Sequence, residues 1–476
     1  YAGASCGALL SGSLIMLVIW WEVMAAGAAF MLISRHDRHA VNAGIRYLLV
    51  HFFGGNLLLF GIVLLARQGY VLVEPLSRGM GSGYWLVLAG VGVSAGMIPF
   101  HSWIADAYPN ASIAGSVVMS SMTTKVAAIT LLRLFAGETF LVWMGILMAF
   151  WGVFYALREN HIRRLLSYHI ISQLGLIITA IGIGTPLAKN AAVALTIGNM
   201  VYKGLLYMST GSIYYCTGKQ KLTELGHQIE TVPINACFFF VGALSIAGMP
   251  GLMGFACKPM VMAAAGSEHM ALVSVLLYFA GIGTFLSIPL KLGYNMFVGV
   301  NPAPEMKKPP KIMMYVGMAL LAVIIFIAGL FPGRFYQLLP WSELTSYTPY
   351  TLDHVVSEFQ LLLGSLLAFI VLHHLFKVKK GVSLDMDWFY RRPLASLVLM
   401  LSNGLNGLRL AIWRGLLDAL ERILPFFRNP MRLLMPWKSG RKEDFQPDRY
   451  RLPVGAGASW ILLAFAVMFL LLSAAV

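Results

Sequence analysis

The stretch Gly198-Asn199-Met200-Val201-Tyr202-Lys203-Gly204-Leu205-Leu206-Tyr207-Met208 lies inside a long apolar run, Ala191 to Tyr215. Lys203 is far from both ends of that run. If the run spans a bilayer, the ammonium sits near the midplane, where insertion scales put its cost at roughly 2.5 to 3.5 kcal/mol. A charge at that depth needs a use or a partner. Lys125, Lys258 and Lys291 repeat the oddity in other apolar runs.

The whole chain supports a membrane reading. It has 476 residues, 58% hydrophobic and 12% charged, against about 25% charged in soluble domains. The fold class expected is an all-α polytopic membrane protein of about 13–14 transmembrane helices. The net charge of +15 is read as basic loops on one membrane face, not as a nucleic-acid surface. Cys6, Cys216, Cys237 and Cys257 lack CxxC or CxxxC spacing, so neither an iron–sulfur site nor a disulfide framework is expected. No charged segment precedes the first apolar stretch. No signal peptide is therefore expected, and Tyr1 reads as the tail of a span with further helices upstream.

Apolar runs place spans at about 13–34, 43–66, 84–100, 114–133, 140–157, 165–184, 190–214, 232–249, 254–266, 271–298, 312–332, 354–376 and 455–475. Two are expected to break. Pro99 follows Ser94-Ala95-Gly96-Met97-Ile98, and Pro250 follows Ala247-Gly248-Met249; a proline inside a helix removes a backbone hydrogen bond and clashes with the preceding turn. Paired broken helices in two halves point to an inverted repeat with its path at mid-membrane. The basic loops 35–41, 158–164 and 216–224 are separated by even numbers of spans. All three fall on one face, which the positive-inside rule makes cytoplasmic. In the polar segment 377–454, Leu405, Leu408, Ile412, Leu416, Leu420, Ile423 and Leu424 recur at helical spacing, with Arg409, Arg414, Asp418, Glu421 and Arg422 opposite. That is an amphipathic helix. The expected division is a core at 1–300, additional spans at 301–376, the polar segment at 377–454 and a final span at 455–476.

The ionisable residues carry the functional reading. Glu22, midway along its span, is a proton acceptor, the counter-charge to a lysine, or a carboxylate hydrogen-bonded to a neighbour. Lys125 and Lys203 are relays or members of structural ion pairs. Burial disfavours the charged form of a lysine and a nearby carboxylate favours it, so a buried lysine can switch protonation near neutral pH. Lys258 lies beside the second break, where freed carbonyls could hold it. Lys291 follows Pro289 near a helix end and reads best as snorkelling. His51, His101 and His169, in or beside spans, suit either proton transfer or structural hydrogen bonding. No nucleotide, cofactor or metal motif stands out, so no cofactor, metal site or catalytic residue is expected. The reading is an ion transporter and not an enzyme in its own right.

Five motifs in register then carry a resemblance. Trp20-Trp21-Glu22, Pro99-Phe100-His101-Ser102-Trp103-Ile104-Ala105-Asp106-Ala107, Ile162-Arg163-Arg164-Leu165-Leu166-Ser167-Tyr168, Tyr202-Lys203-Gly204-Leu205-Leu206 and Gly254-Phe255-Ala256-Cys257-Lys258 resemble the antiporter-like membrane subunits. Mrp-type Na+/H+ antiporters, respiratory complex I and membrane-bound hydrogenases share these subunits. The tail resembles the D-type branch of the Mrp subunits. The resemblance implies two inverted repeats with broken helices, and a midplane line of ionisable groups. In it Glu22 takes the place of the family's essential glutamate, Lys203 of the central lysine, Lys258 of the exit-side group and Lys125 of the link between halves. Two positions depart. Ser94 stands where the family usually has a lysine paired to the glutamate, and Asn199 where a histidine commonly precedes the central lysine. Glu22 would then depend on His51, His101, Lys125 or a water chain.

The implied function is proton conduction in a multi-subunit cation(Na+)/H+ antiporter of the inner (plasma) membrane. Its partners would be other membrane subunits, protons, Na+ as candidate cation and the lipid bilayer, with no nucleic acid. Alternatives are membership of a redox-driven pump or of a proton-coupled inorganic-carbon uptake complex, and a scaffold that has lost conduction.

Overall fold

The computed structural model describes residues 1–299, 304–344, 347–372, 385–428 and 454–473. Parts of the expected polar segment, 377–384 and 429–453, lie outside the described residues, as do the ends of the spans at 354–376 and 455–475. The described residues are helices and loops, with no strand among them. They form two units, Tyr1–Asp387 and Trp388–Val476.

The first unit runs α1 Ala2–Leu10, α2 Leu14–Ile33, α3 Arg38–Ala66, α4 Ser82–Ser94, α5 Ser102–Asn110, α6 Ile113–Phe135, α7 Thr139–Arg158, α8 Ile162–Ile183 and α9 Pro186–Thr217. It continues with α10 Pro233–Ala247, α11 Met253–Ser267, α12 Ala271–Phe285, α13 Ile312–Leu330 and α14 Leu352–Leu372. Helix starts are set by local chemistry. The side chains of Ser13, Asp37, Ser112 and Thr185 each accept a hydrogen bond from a first-turn N–H, which satisfies a donor the helix leaves free. Past α12 the backbone winds as π-helix over 286–298 and so accommodates Pro289 without ending the rod.

Both expected breaks are present. Between α4 and α5, Gly96 turns with φ +67° and the Ile98–Pro99 peptide is cis. Between α10 and α11, Gly248 has φ +101°, a conformation only glycine adopts without strain. Backbone groups freed at a break must find partners inside a membrane. The Trp103 indole donates to the Val93 carbonyl (3.0 Å), the Gly254 N–H to Ser245 Oγ (3.3 Å), and the Gly251 N–H to the Tyr350 hydroxyl (3.1 Å).

The order helix, helix, broken helix, helix occurs twice, as α2–α6 and as α8–α12. Counting each broken helix as one crossing, α8 follows α2 by five crossings. An odd offset makes the two copies run in opposite senses. Lipid provides no hydrophobic drive between helices, so close packing depends on small residues. α7 and α8 meet this way: a Cβ at Gly152 would lie 2.5 Å from the Tyr168 carbonyl, and one at Gly175 2.5 Å from the Ala149 nitrogen.

Among the described residues, ten helices are long and apolar enough to cross a membrane, with shorter apolar helices at Ser82–Ser94, Pro233–Ala247 and Gly457–Met468. Two of the short ones are first halves of broken crossings, so helix length alone undercounts the spans. One of the ten, Asp387–Leu424, covers the stretch expected to be amphipathic. In the second unit, α15 Ala395–Arg428 exposes Leu405, Leu408, Ile412, Leu416 and Leu420, and α16 is Val454–Ser473.

Candidate functional site

The second repeat holds buried charge. Lys203 on α9 is fully buried, and its Nζ donates to the Leu166 carbonyl of α8 at 3.2 Å. Lys258 on α11 is 3% exposed and donates to the Ala247 carbonyl (3.3 Å), at the last residue before the break. That is the carbonyl contact the sequence suggested. Lys125 on α6 is also 3% exposed, and donates to the Ser120 carbonyl (2.7 Å) and Thr124 Oγ1 (3.3 Å). Lys125 and Lys258 both lie within electrostatic reach of Lys203. Two of the sequence-predicted lysines are thus brought within electrostatic reach of the third. Asn199, one turn before Lys203, is buried. Its Nδ2 and Oδ1, together with His169 Nδ1, have no hydrogen-bond partner among the described residues. His169 Nε2 meets Ser287 Oγ at 2.6 Å.

The rest of the first repeat, outside α6, is different. Ser94, fully buried, accepts the Trp21 indole N–H at 3.2 Å. Glu22 is half-buried beside Gly55 of α3, where any Cβ would collide with its carboxylate. His51, one turn before Gly55, stacks on Tyr47 (centroids 3.9 Å) and meets Trp103 edge-on (4.5 Å). Its Nδ1 lies 3.0 Å from the Tyr47 carbonyl. Hydroxyls continue towards Lys125: Tyr47 Oη is 3.5 Å from Thr123 Oγ1, and Tyr1 Oη is 2.6 Å from the same atom. Of the partners expected for Glu22, His51 is the one that lies on the same helix face, one turn away.

Residues 11–287 match the family model described as NADH:quinone oxidoreductase/Mrp antiporter, TM, which covers more than half of the chain. The chain belongs to this family. Relatives include the A/B subunit of a probable K(+)/H(+) antiporter of Rhizobium meliloti (strain 1021), 28% identical over 70% of this chain and 36% of the relative. Another is the A1 subunit of the Na(+)/H(+) antiporter of Staphylococcus haemolyticus (strain JCSC1435), 26% identical over 78% and 51%. The chain therefore spans about a third to a half of these relatives. Their names are those of A-type subunits, whereas the tail was expected to resemble the D type. A chain in the Mrp complex of Dietzia sp. DQ12-45-1b shares the fold with a TM-score of 0.66, at 23% identity over 75% of this chain and 78% of that one. A chain of respiratory complex I from Thermus thermophilus gives 0.60, at 21% identity over 69% and 76%.

Two family motifs acquire structural reasons. Arg163, 2% exposed, donates to the carbonyls of Pro109 (3.1 Å), Ala111 (3.0 Å) and Ser112 (2.9 Å) and to Ser116 Oγ. It clamps the second half of the first broken helix to the start of α6. Arg46 holds Asp106 on α5 through two hydrogen bonds, 2.7 and 2.9 Å. Lys291 corrects its expectation. It does not snorkel but is 1% exposed, donating to the carbonyls of Ala156 (3.1 Å), Leu157 (2.7 Å) and Glu159 (2.7 Å), where α7 ends. A buried cation at a helix C-terminus meets both free carbonyls and the negative end of the helix dipole.

Two carboxylates were missed in the sequence. Asp385 accepts from Tyr168 Oη (2.9 Å), Trp151 Nε1 (3.2 Å) and the Met386 N–H (2.7 Å), and pairs with His101 Nε2 at 3.2 Å. Burial pushes this carboxyl up, but His101 together with the Met386 and Tyr168 donors outweighs that and holds it below the usual aspartate range. It gives His101 a partner that the sequence could not reveal, because Asp385 sits in a polar stretch. Glu358 on α14, 8% exposed, lies in an apolar run, and the test that singled out Glu22 would have found it.

Proposed function

We propose that the chain is the proton-conducting member of a multi-subunit cation/proton antiporter in a bacterial plasma membrane. Na+ or K+, the cations named for its relatives, would be exchanged. Lys125, Lys203 and Lys258 form the central relay, with Glu22 and His51 on the first-repeat side. Other membrane subunits of the antiporter are its partners.

The observation that carries this reading is how the row is held. Each lysine rests on a carbonyl or hydroxyl oxygen and not in a carboxylate hydrogen bond. A neutral amine still has N–H groups for the same oxygen, so the geometry accepts both protonation states. A carboxylate partner would favour the charged state alone. Neighbouring charges repel, so a proton arriving at one lysine weakens the hold of the next, and the row titrates as a coupled set. The orphaned atoms of Asn199 and His169 support a hydrated path, since buried polar atoms without protein partners are generally met by water.

The test is ΔpH-driven exchange in vesicles carrying the intact complex. Lys203→Ala is expected to abolish exchange while the complex still assembles; exchange at the wild-type rate would sink the proposal. Likeness to complex I supports a second reading, membership of a redox-driven pump. The two part on composition: a purified complex that contains redox subunits favours the second.

A further inference from the structure

At the second break, Gly248 does more than turn the chain. A Cβ on it would lie 2.6 Å from Glu358 Oε1 and 3.7 Å from Lys258 Cδ. The carboxylate of α14 and the stem of the lysine therefore meet over one missing methyl group. α14 is fixed there by Leu362, packed with Ala247 and Phe285, and Glu358 and Lys258 attract each other electrostatically. Tyr278 of α12 and Tyr347 lie within electrostatic reach of the same carboxylate. One turn towards the start of α14 stands His354, half-buried, its ring centroid 6.0 Å from that of Tyr347. His354 Nδ1 has no hydrogen-bond partner among the described residues.

The sidedness is consistent. From the basic loop 216–224 the chain crosses as the α10/α11 pair, α12 with its π-helical end, and α13, so residues 331–344 and 347–351 lie on the opposite face. The Trp341 N–H donates to Asn190 Oδ1 at 3.1 Å, near the start of α9, which is the end remote from that loop.

We propose that Glu358 is a further proton carrier, taking the proton from Lys258 and passing it through His354 to the membrane face opposite the basic loops. This rests on the conduction reading above. In the step, an N–H bond of the Lys258 ammonium breaks and an O–H bond forms on Glu358, leaving a neutral amine and a neutral acid. The acid then loses its proton to the His354 imidazole or to water at the helix start, and Lys258 is recharged from the Lys203 side. Lys258 moves between the Ala247 carbonyl, its resting acceptor, and the carboxylate over Gly248.

The experiment uses vesicles of the intact complex, with exchange measured against pH on the face opposite the basic loops. Glu358→Gln is expected to lower exchange about tenfold or more, within the range a positioned acid–base group supplies. Glu358→Asp should keep most of the rate with a displaced pH profile, and His354→Ala should flatten the profile. Wild-type rate and profile in Glu358→Gln overturn the proposal. A uniform loss at every pH, shared by Glu358→Asp, also overturns it, because it indicates a packing role. If Glu358→Gln fails to assemble, Glu358→Asp decides: an unchanged profile refutes the relay. Lys203→Ala in parallel separates the two ideas. Its loss of exchange with Glu358→Gln intact rejects only this inference, whereas intact exchange in Lys203→Ala rejects the conduction reading itself.

Discussion

The two broken helices share a backbone plan and differ in chemistry. Around the second, three cations and an acid are buried: Lys203, Lys258, Lys291 and Glu358. Around the first, Ser94 fills its position with a neutral hydrogen bond from Trp21, and aromatic rings of Tyr47, His51 and Trp103 pack together. The break itself therefore does not require a buried lysine. Positive-φ glycines and side-chain donors to freed backbone groups suffice to make it. Buried lysines stand at one break and not the other, where the buried charge is instead the His101–Asp385 pair and Arg163; this locates the lysine path mainly in the second repeat and its link through Lys125.

Within the second repeat, Lys291 and Lys203 make the sharpest contrast, because both are buried lysines held by carbonyls. Lys291 meets three carbonyls at a helix end, whereas Lys203 meets one in mid-helix. The first arrangement is a cap and the second leaves room for proton exchange. Lys291→Met is expected to destabilise the protein by about 3 kcal/mol, since buried acceptors lose charged donors. Exchange per assembled complex should stay within about twofold of wild type, in contrast to the loss expected for Lys203→Ala. Thermal unfolding in detergent and vesicle exchange on the same preparation check both. Lost exchange in a stable Lys291→Met complex would move Lys291 into the path.

A smaller effect is expected at the first break. Ser94→Ala removes the acceptor of the buried Trp21 indole, a loss of about 1 kcal/mol. If conduction does not pass through position 94, exchange stays at the wild-type rate. A marked fall would mean that the Trp21–Ser94 pair takes part in transfer, and the contrast between the repeats would narrow.

How much of this could be read from the chain follows from contrast. A lysine in an apolar run is conspicuous, so Lys125, Lys203 and Lys258 stand out in the sequence, and Pro99 and Pro250 mark both breaks. Glu358 was equally conspicuous by that standard but lies near the start of its span, where an acid is easily taken for an interfacial one. Asp385 gave no signal, because a carboxylate among polar residues is ordinary until its partners Tyr168 and His101 arrive from far away in sequence. The role of Lys291 was illegible for a related reason: its partners are carbonyls, which every residue carries. Side-chain chemistry is written in the sequence, but backbone acceptors become specific only when a helix ends in the right place.

The first repeat is also tied to α7 at the surface, and there pH tests the join. Arg78, ahead of α4, forms an ion pair with Glu138 at the start of α7, and the Tyr84 hydroxyl donates to the same carboxylate. The Arg78 hydrogen bond leads in lowering the Glu138 carboxyl from the usual 4.5 to about 2. A depressed carboxyl stabilises the fold above its unfolded value, and that contribution is lost as pH falls from 4.5 through about 2. Arg78 is largely exposed, so screening by water keeps the effect small. Glu138→Gln should lower the melting temperature by less than Ser94→Ala does at about pH 7, and the difference from wild type should shrink at about pH 3. A gap that persists at low pH would show that the ion pair with Arg78 is not what Glu138 contributes, because a neutral glutamate, like the glutamine, keeps an acceptor oxygen for the Phe140 N–H while losing most of its pull on Arg78.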